Sequence, residues 1–344
     1  MLPRLPIALV IVSLLAVMLY GCSASQSAPQ AGGSQDELDP GTTPANQDTV
    51  YSADSSPSIK LVVTTDFGKS LLLEETVEIG EETSALAALK QVAQVETQYG
   101  GGFVKSINGI DSEYGGDSEQ KDDWLFYING ISSNVGAAAY MLQVGDVEHW
   151  DYRDWDFHQF VPAIVGDFPE PFLHGHRGVV YPTLVVYQQG REDEAGQIAA
   201  ALAQYGVAGV SVKSAAGLSA SEQESSNLIL VGTADFPLID EINQPWDRLG
   251  FYCHFEEGCL SVFDGGGEVT GEYRDGDGVG VVQATQSVWN PKGVGACENV
   301  VWMVSGTDDA GVAAAVDTLV GCSADFEYAF SLVVVDGGMV RVPR

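Results

Sequence analysis

Chemistry in this chain would have to come from few places. His174-Gly175-His176 sets two imidazoles either side of a glycine, and neutral imidazole is a good metal ligand. With no cysteine nearby and no helical spacing, the pair reads as a surface loop rather than a metal site. Gly232-Thr233-Ala234-Asp235 and Gly306-Thr307-Asp308 each follow an apolar run and precede a helical pattern. Helix starts at strand ends can hold an anion, but neither stretch is a Walker loop or a dinucleotide fingerprint. Asp235 and Asp308 are placed to cap their own helices, in competition with any phosphate. The stretch from Asp275 to Gly280, DGDGVG, lacks the full ligand set of a calcium loop. There is no Gly-x-Ser-x-Gly elbow and no His-Glu-x-x-His. Asp122-Asp123, Glu256-Glu257 and Asp308-Asp309 read as solvated faces or caps. No catalytic residue is expected, and an extracellular hydrolase is the least favoured reading.

What remains is binding, and the stretch KDDWLFYINGI, residues 121–131, is where it concentrates. At period two, Trp124, Phe126 and Ile128 share one face of a strand while Leu125 and Tyr127 share the other. Asn129-Gly130 then closes a tight turn. A strand apolar on both sides needs two covers.

The elements that must supply those covers follow from patterning. In residues 58–155, strands are expected at 59–65 and 71–79. A helix capped at Thr83-Ser84 follows, burying Leu86, Leu89, Val92, Ala93 and Val95, and further strands follow it. Two strands, a helix and more strands is the order of a β-grasp, one helix across a mixed sheet. In residues 156–344, strands at 180–187, 209–212, 227–233 and 299–307 alternate with helices at 192–205, 235–243 and 308–320. Continuous apolar strands between helices argue for an α/β domain with a largely parallel sheet, interrupted by a glycine-rich antiparallel part at 253–286. The expected fold is therefore α+β followed by α/β.

The chain has 344 residues with 15 basic and 48 acidic side chains, a formal net charge of −33, and is 45% hydrophobic. It is a folding sequence, and its charge repels nucleic acid and anionic headgroups. Residues 1–22 read as a lipoprotein signal peptide: Arg4, an apolar run over 5–20, then Leu19-Tyr20-Gly21-Cys22, which resembles a bacterial lipobox. Cys22 would carry the lipid and hold the protein on the extracytoplasmic face of the cell membrane. An ordinary signal peptide with a chance cysteine stays open. Residues 23–57, poor in large apolar residues, would be a disordered tether reaching roughly 30 Å. The other four cysteines form an even set that can oxidise outside the cell. A helix returning antiparallel to its strand would bring Cys297 to Cys322, and Cys253–Cys259 would clip a hairpin; a zinc site is the rival, without the close pairs it needs.

Three pieces of the first domain occur in order: YGGGFVKSINGI (99–110), WLFYING (124–130) and NVGAAAYMLQVGDVEHWDY (134–152). Together they resemble the C-terminal β-domain of transcobalamin and intrinsic factor, and a bacterial lipoprotein family that shares it. The resemblance covers about a hundred residues and implies a β-grasp whose loops cover one side of a cobalamin. It places a corrinoid against Tyr99, Phe103, Trp124 and Tyr140, with Asn108 and Asn134 to bond its amide arms. The helical barrel of the eukaryotic proteins is not encoded, so the α/β domain would form the opposite wall. The resemblance thus implies capture of a corrinoid between two domains, and the logic of a tethered binder makes a membrane importer its natural partner. The alternative is a surface interaction protein that binds a protein or glycan through the aromatic edge.

Overall fold

The computed structural model describes residues 56–114, 120–321 and 323–344. Cys22, the leader and most of the tether lie outside the described residues, as does Cys322.

The first lobe is built on β1 (Ser58–Thr65) and β2 (Ser70–Glu78), an antiparallel pair. α1 (Ala85–Val92) follows, then β3 (Val95–Gln98), β4 (Phe103–Ile107) and β5 (Ile110–Asp111), which form a small antiparallel sheet. β6 (Asp122–Ile128), β7 (Ile131–Ser132) and β8 (Val147–Asp154) complete the main sheet in the order β2-β1-β8-β6-β7. β1 runs parallel to β8 and antiparallel to β2. That mixed order with one helix across it is the expected β-grasp. α1 starts where Ser84 accepts the Ala87 amide at 3.2 Å, and buries Ala85, Leu86, Ala88 and Leu89. It stops at Val92, because Ala93 is extended (φ −135°), so Val95 opens β3 instead of extending the helix stripe. β2 is the outer edge, and its Glu74 and Glu75 discourage further strand pairing.

The second lobe holds β9 (Thr183–Tyr187), α2 (Glu192–Gln204), β10 (Ser211–Ser214), α3 (Ala220–Ser225), β11 (Asn227–Thr233) and α4 (Pro237–Asn243). A three-stranded antiparallel sheet follows, β12 (Cys253–Glu256), β13 (Cys259–Phe263) and β14 (Val269–Arg274). β15 (Gly280–Gln286), β16 (Val300–Gly306), α5 (Asp309–Gly321), β17 (Ser331–Val335) and β18 (Gly338–Val342) close the chain. The seven-stranded sheet runs β10-β9-β11-β16-β15-β17-β18. Its first four strands are parallel and the rest antiparallel, so the parallel sheet expected from the apolar runs is only half of it. α2 and α5 pack on one face with Ile229, Val231 and Trp302, while α4 packs on the other with Leu228 and Leu230. α5 sits so close to β16 that a Cβ on Gly306 would meet the Val312 nitrogen at 2.4 Å.

The expected Cys253–Cys259 disulfide is not formed, and the expected partner of Cys297, Cys322, lies outside the described residues. In the β12–β13 hairpin Cys253 stands opposite Val262 and Cys259 opposite Glu256, so the cysteines are offset along the ladder. Cys253, Cys259 and Cys297 are free thiols, and the Cys297 thiol donates to the Ser132 carbonyl at 3.1 Å. Among the described residues no helix is long and apolar enough to cross a membrane.

The second cover of β6 is the second lobe. Trp124 and Ile128 enter the first lobe's core, whereas Tyr127 packs edge-on to Phe330, 5.7 Å away, in the core of the second. The same face of β8 presents His149, Asp151 and Arg153, all buried. His149 lies between Thr64 Oγ1 at 2.9 Å and Asp167 Oδ1 at 3.0 Å. Asp151 accepts Thr64 Oγ1 at 2.7 Å and the amides of Phe67 and Gly68 at 3.1 and 3.0 Å. Those bonds hold a turn in which Asp66, Phe67 and Gly68 all have positive φ, 55°, 58° and 77°. Only glycine fits the third position, where a Cβ would stand 1.9 Å from the Tyr328 carbonyl oxygen. The turn drives Phe67 between Phe330 and Tyr252, with the Arg153 guanidinium 5.4 Å from its ring centre. The turn is thereby packed and hydrogen-bonded against the second lobe.

Candidate functional site

Of the six candidate contacts, Phe103, Trp124 and Asn134 come together. They line a groove of about 400 Å³ on the first lobe, between residues 101–104, β6 and the loop 132–137. Trp124 is held by its indole N–H, which donates to the Ile110 carbonyl at 2.9 Å, and by the Tyr152 ring at 5.2 Å. Phe126 stacks on Trp150 at 4.9 Å and 21°, making a flat apolar floor. Gly101, at φ 94°, and Gly136 lower the walls so that backbone stands close to any occupant. β6 pairs with β8 along its whole length but with β7 only at Tyr127 and Ile128. Among the described residues no strand pairs with Trp124–Phe126 on the groove side. Beneath, Asp123 is buried with its carboxyl pKa pushed up by loss of water, opposed by the hydrogen bond from the Trp124 amide.

The other candidates are elsewhere. Tyr99 is 87% exposed and touches Phe103 only edge-on at 6.5 Å. Asn108 is a turn residue (φ 51°) whose side chain accepts the Gln94 amide. Tyr140 is buried, its hydroxyl accepting the Arg177 amide at 2.9 Å and its ring set against His176 at 5.1 Å. Asn134 is at the groove, but its amide spans the lobes: it donates to the Gly295 carbonyl and accepts from Arg177, both at 3.1 Å. Leu125, Phe126 and the glycine walls were not singled out as contacts; the alternation of 124–128 already placed Phe126 beside Trp124.

The hollow that does lie between the lobes is walled by Asp66, Asp122, Asp154, Asp264 and Arg344, about 620 Å³, and none of the six candidates borders it. Three of the six candidates thus gather in a groove on one lobe and not at the hollow between the two. His174 is tied through Nδ1 to the Glu170 carboxylate, which raises its pKa, and buried His176 is lowered to about 4 by loss of water. Neither borders the groove, and among the described residues no three His, Cys, Asp or Glu side chains gather to hold a metal ion. Asp308 caps α5 as expected, accepting the Gly311 amide at 2.9 Å. Asp235 does not cap α4, which begins at Pro237; its carboxylate takes Thr233 Oγ1 and the Gln188 amide instead.

All three pieces that carry the transcobalamin resemblance fall in or against this lobe. Residues 82–154 match the model of the family DUF4430, a domain of unknown function. The match spans α1 through β8 and so contains the whole groove. No curated protein sequence matches the chain. Among solved structures, a protein of proposed metal binding from Ruminococcus gnavus aligns at 16% identity and a TM-score of 0.22. That alignment covers 29% of this chain and 98% of the other.

Proposed function

We propose that this chain is a binding protein without catalytic chemistry, and that its ligand seats in the groove of Phe103, Trp124 and Phe126. The observation that carries the reading is the convergence of these rings on a hollow with close glycine backbone. Flat apolar ring surface plus backbone polar groups suits a molecule with a broad apolar rim and amide arms. The resemblance makes that molecule a corrinoid. Drug-sized ligands occupy roughly 300–1,000 Å³, so a groove of about 400 Å³ takes one rim of the macrocycle and leaves the rest facing outward. A lipid on Cys22 would hold the protein outside the membrane, where an importer could collect the cargo.

The test is a titration of the chain from Ser23 onward with cobalamin, followed by calorimetry and visible absorbance. Saturation at about 100 times Kd should stabilise the protein by about 2.7 kcal/mol. Phe103→Ala should weaken binding at least about tenfold without loss of fold, because this ring is only half-buried. No heat and no thermal shift with cobalamin would remove the corrinoid.

The open edge of β6 favours a second reading, in which an extended segment of a partner protein adds a strand along Trp124–Phe126. It would show as new amide protection at those residues on partner binding, with no response to cobalamin.

A further inference from the structure

The second lobe has a crevice of its own at the point where its topology reverses. From β9 the chain passes through α2 to β10 on one side, then returns across β9 to β11 on the other. Parallel α/β sheets bind ligands outside the carboxyl ends of the strands at such a reversal. There the structure has a hollow of about 800 Å³, lined by the ends of β9 and β10 and the start of α4. Its mouth is fixed in place. Gln188 Oε1 accepts the Thr233 amide at 2.9 Å, while Nε2 donates to Asp235 Oδ1 at 3.0 Å. One amide therefore ties the loop after β9 to the loop after β11, so the crevice is preformed.

Its lining selects a ligand class. Glu192, Asp193 and Glu194 occupy the first turn of α2 and already answer its helix dipole, so a phosphate or other anion is disfavoured. Gln188, Gln189, Ser214 and Asp193 make a purely apolar ligand a poor match, because their polar groups would lose water without replacement. Tyr187, Phe236 and Pro237 supply apolar surface next to them. Amide and carboxylate groups that bond neighbouring hydroxyls, beside an apolar patch that takes a C–H face, are what an uncharged sugar ring needs. We propose that this crevice binds a neutral carbohydrate, with Tyr187 under the ring and Gln189, Ser214 and Asp193 on its hydroxyls. The volume admits more than one sugar residue, so a short oligosaccharide is the better ligand. This site is on the other lobe from the β6 groove and stands independently of it.

The experiment is saturation-transfer NMR and calorimetry on the chain from Ser23 onward. The probes are a panel of neutral mono- and disaccharides spanning the common ring configurations, with inorganic phosphate and spermidine as charged controls. Sugar binding that falls at least about tenfold in both Tyr187→Ala and Gln189→Ala, with cobalamin titration unchanged, supports the assignment. Gln189 is exposed, so its variant reports on the site and not on folding. No response to any sugar, binding unaffected by both substitutions, or binding of phosphate or spermidine in place of sugars would each overturn it.

Discussion

Asp151→Asn is the substitution that most directly tests how the two lobes are joined. The wild-type carboxylate serves three donors: Thr64 Oγ1 at 2.7 Å and the Gly68 amide at 3.0 Å on Oδ1, and the Phe67 amide at 3.1 Å on Oδ2. An asparagine has one acceptor oxygen, so in either orientation at least one buried donor faces an NH2 group. A buried donor left unmatched costs about 1–3 kcal/mol, and a hydrogen bond to a charged group is worth about 1.5–3 kcal/mol. The same bonds restrain the positive-φ residues Asp66 and Phe67, whose backbone strain is of order 1–3 kcal/mol each. Opposing these, burial pushes the Asp151 carboxyl pKa up, and asparagine escapes that desolvation. The balance is a loss of roughly 2–4 kcal/mol at neutral pH. Because Phe67 packs on Tyr252 and Phe330, the loss should appear as one transition shared by both lobes. Urea unfolding followed by tryptophan fluorescence and far-UV circular dichroism measures it, with Trp124 and Trp150 reporting on one lobe and Trp302 on the other. A loss below about 0.5 kcal/mol, or two separated transitions, would refute the reasoning.

Glu148 offers the opposite sign. It is fully buried with Oε1 accepting the Trp150 indole N–H at 2.6 Å and Oε2 without a partner, and burial raises its pKa well above the ordinary value. Glu148→Gln should keep the indole bond and stabilise the protein by about 1 kcal/mol at neutral pH; a lower unfolding midpoint would contradict this. Asp123, Asp146, Asp151 and Glu148 are all shifted upward by burial, so between the ordinary carboxyl range and the raised values the folded state holds protons that the unfolded state has released. These four carboxyls should therefore make stability fall as pH rises through that window, and replacing them with the matching amides should flatten that part of the profile; an unchanged profile would exclude it. Dithiothreitol should leave the melting temperature unchanged. With a thiol reagent on the folded chain, Cys259→Ser should remove one fast-reacting group, whereas Cys253→Ser should remove none, its buried thiol being shifted far up.

Much of the fold was legible because burial and periodicity agree in the elements that build it. The apolar run 227–233 is β11 to the residue, and 299–307 is β16 within one residue at each end, since strands covered on both faces admit few polar positions. The antiparallel half of the large sheet was less visible: apolar runs do not record strand direction. Within the site, alternation over 124–128 put Trp124 and Phe126 on one side, and the groove follows. Tyr99, Asn108 and Tyr140 were carried by motif position alone, and position in a motif does not distinguish an exposed ring, a turn and a core residue. The seam left the weakest trace. His149, Asp151 and Arg153 alternate with Glu148, Trp150 and Tyr152, so that face looks solvated until a second body covers it. The cysteines misled for a related reason: even number and short spacing say nothing about the register that sets Cys253 opposite Val262.

The Phe67 wedge and the bonded carboxylate behind it have a consequence for how any cargo is handed on. On the proposed reading, a joint held in this way resists swinging, so loading would not be announced by jaws closing around the guest. A receiving protein would have to sense the guest itself, through whatever part of it protrudes beyond Phe103 and Gly136, together with the fixed shoulder around it. Recognition would then be a composite of passenger and carrier, and an empty carrier would be refused for want of half the surface.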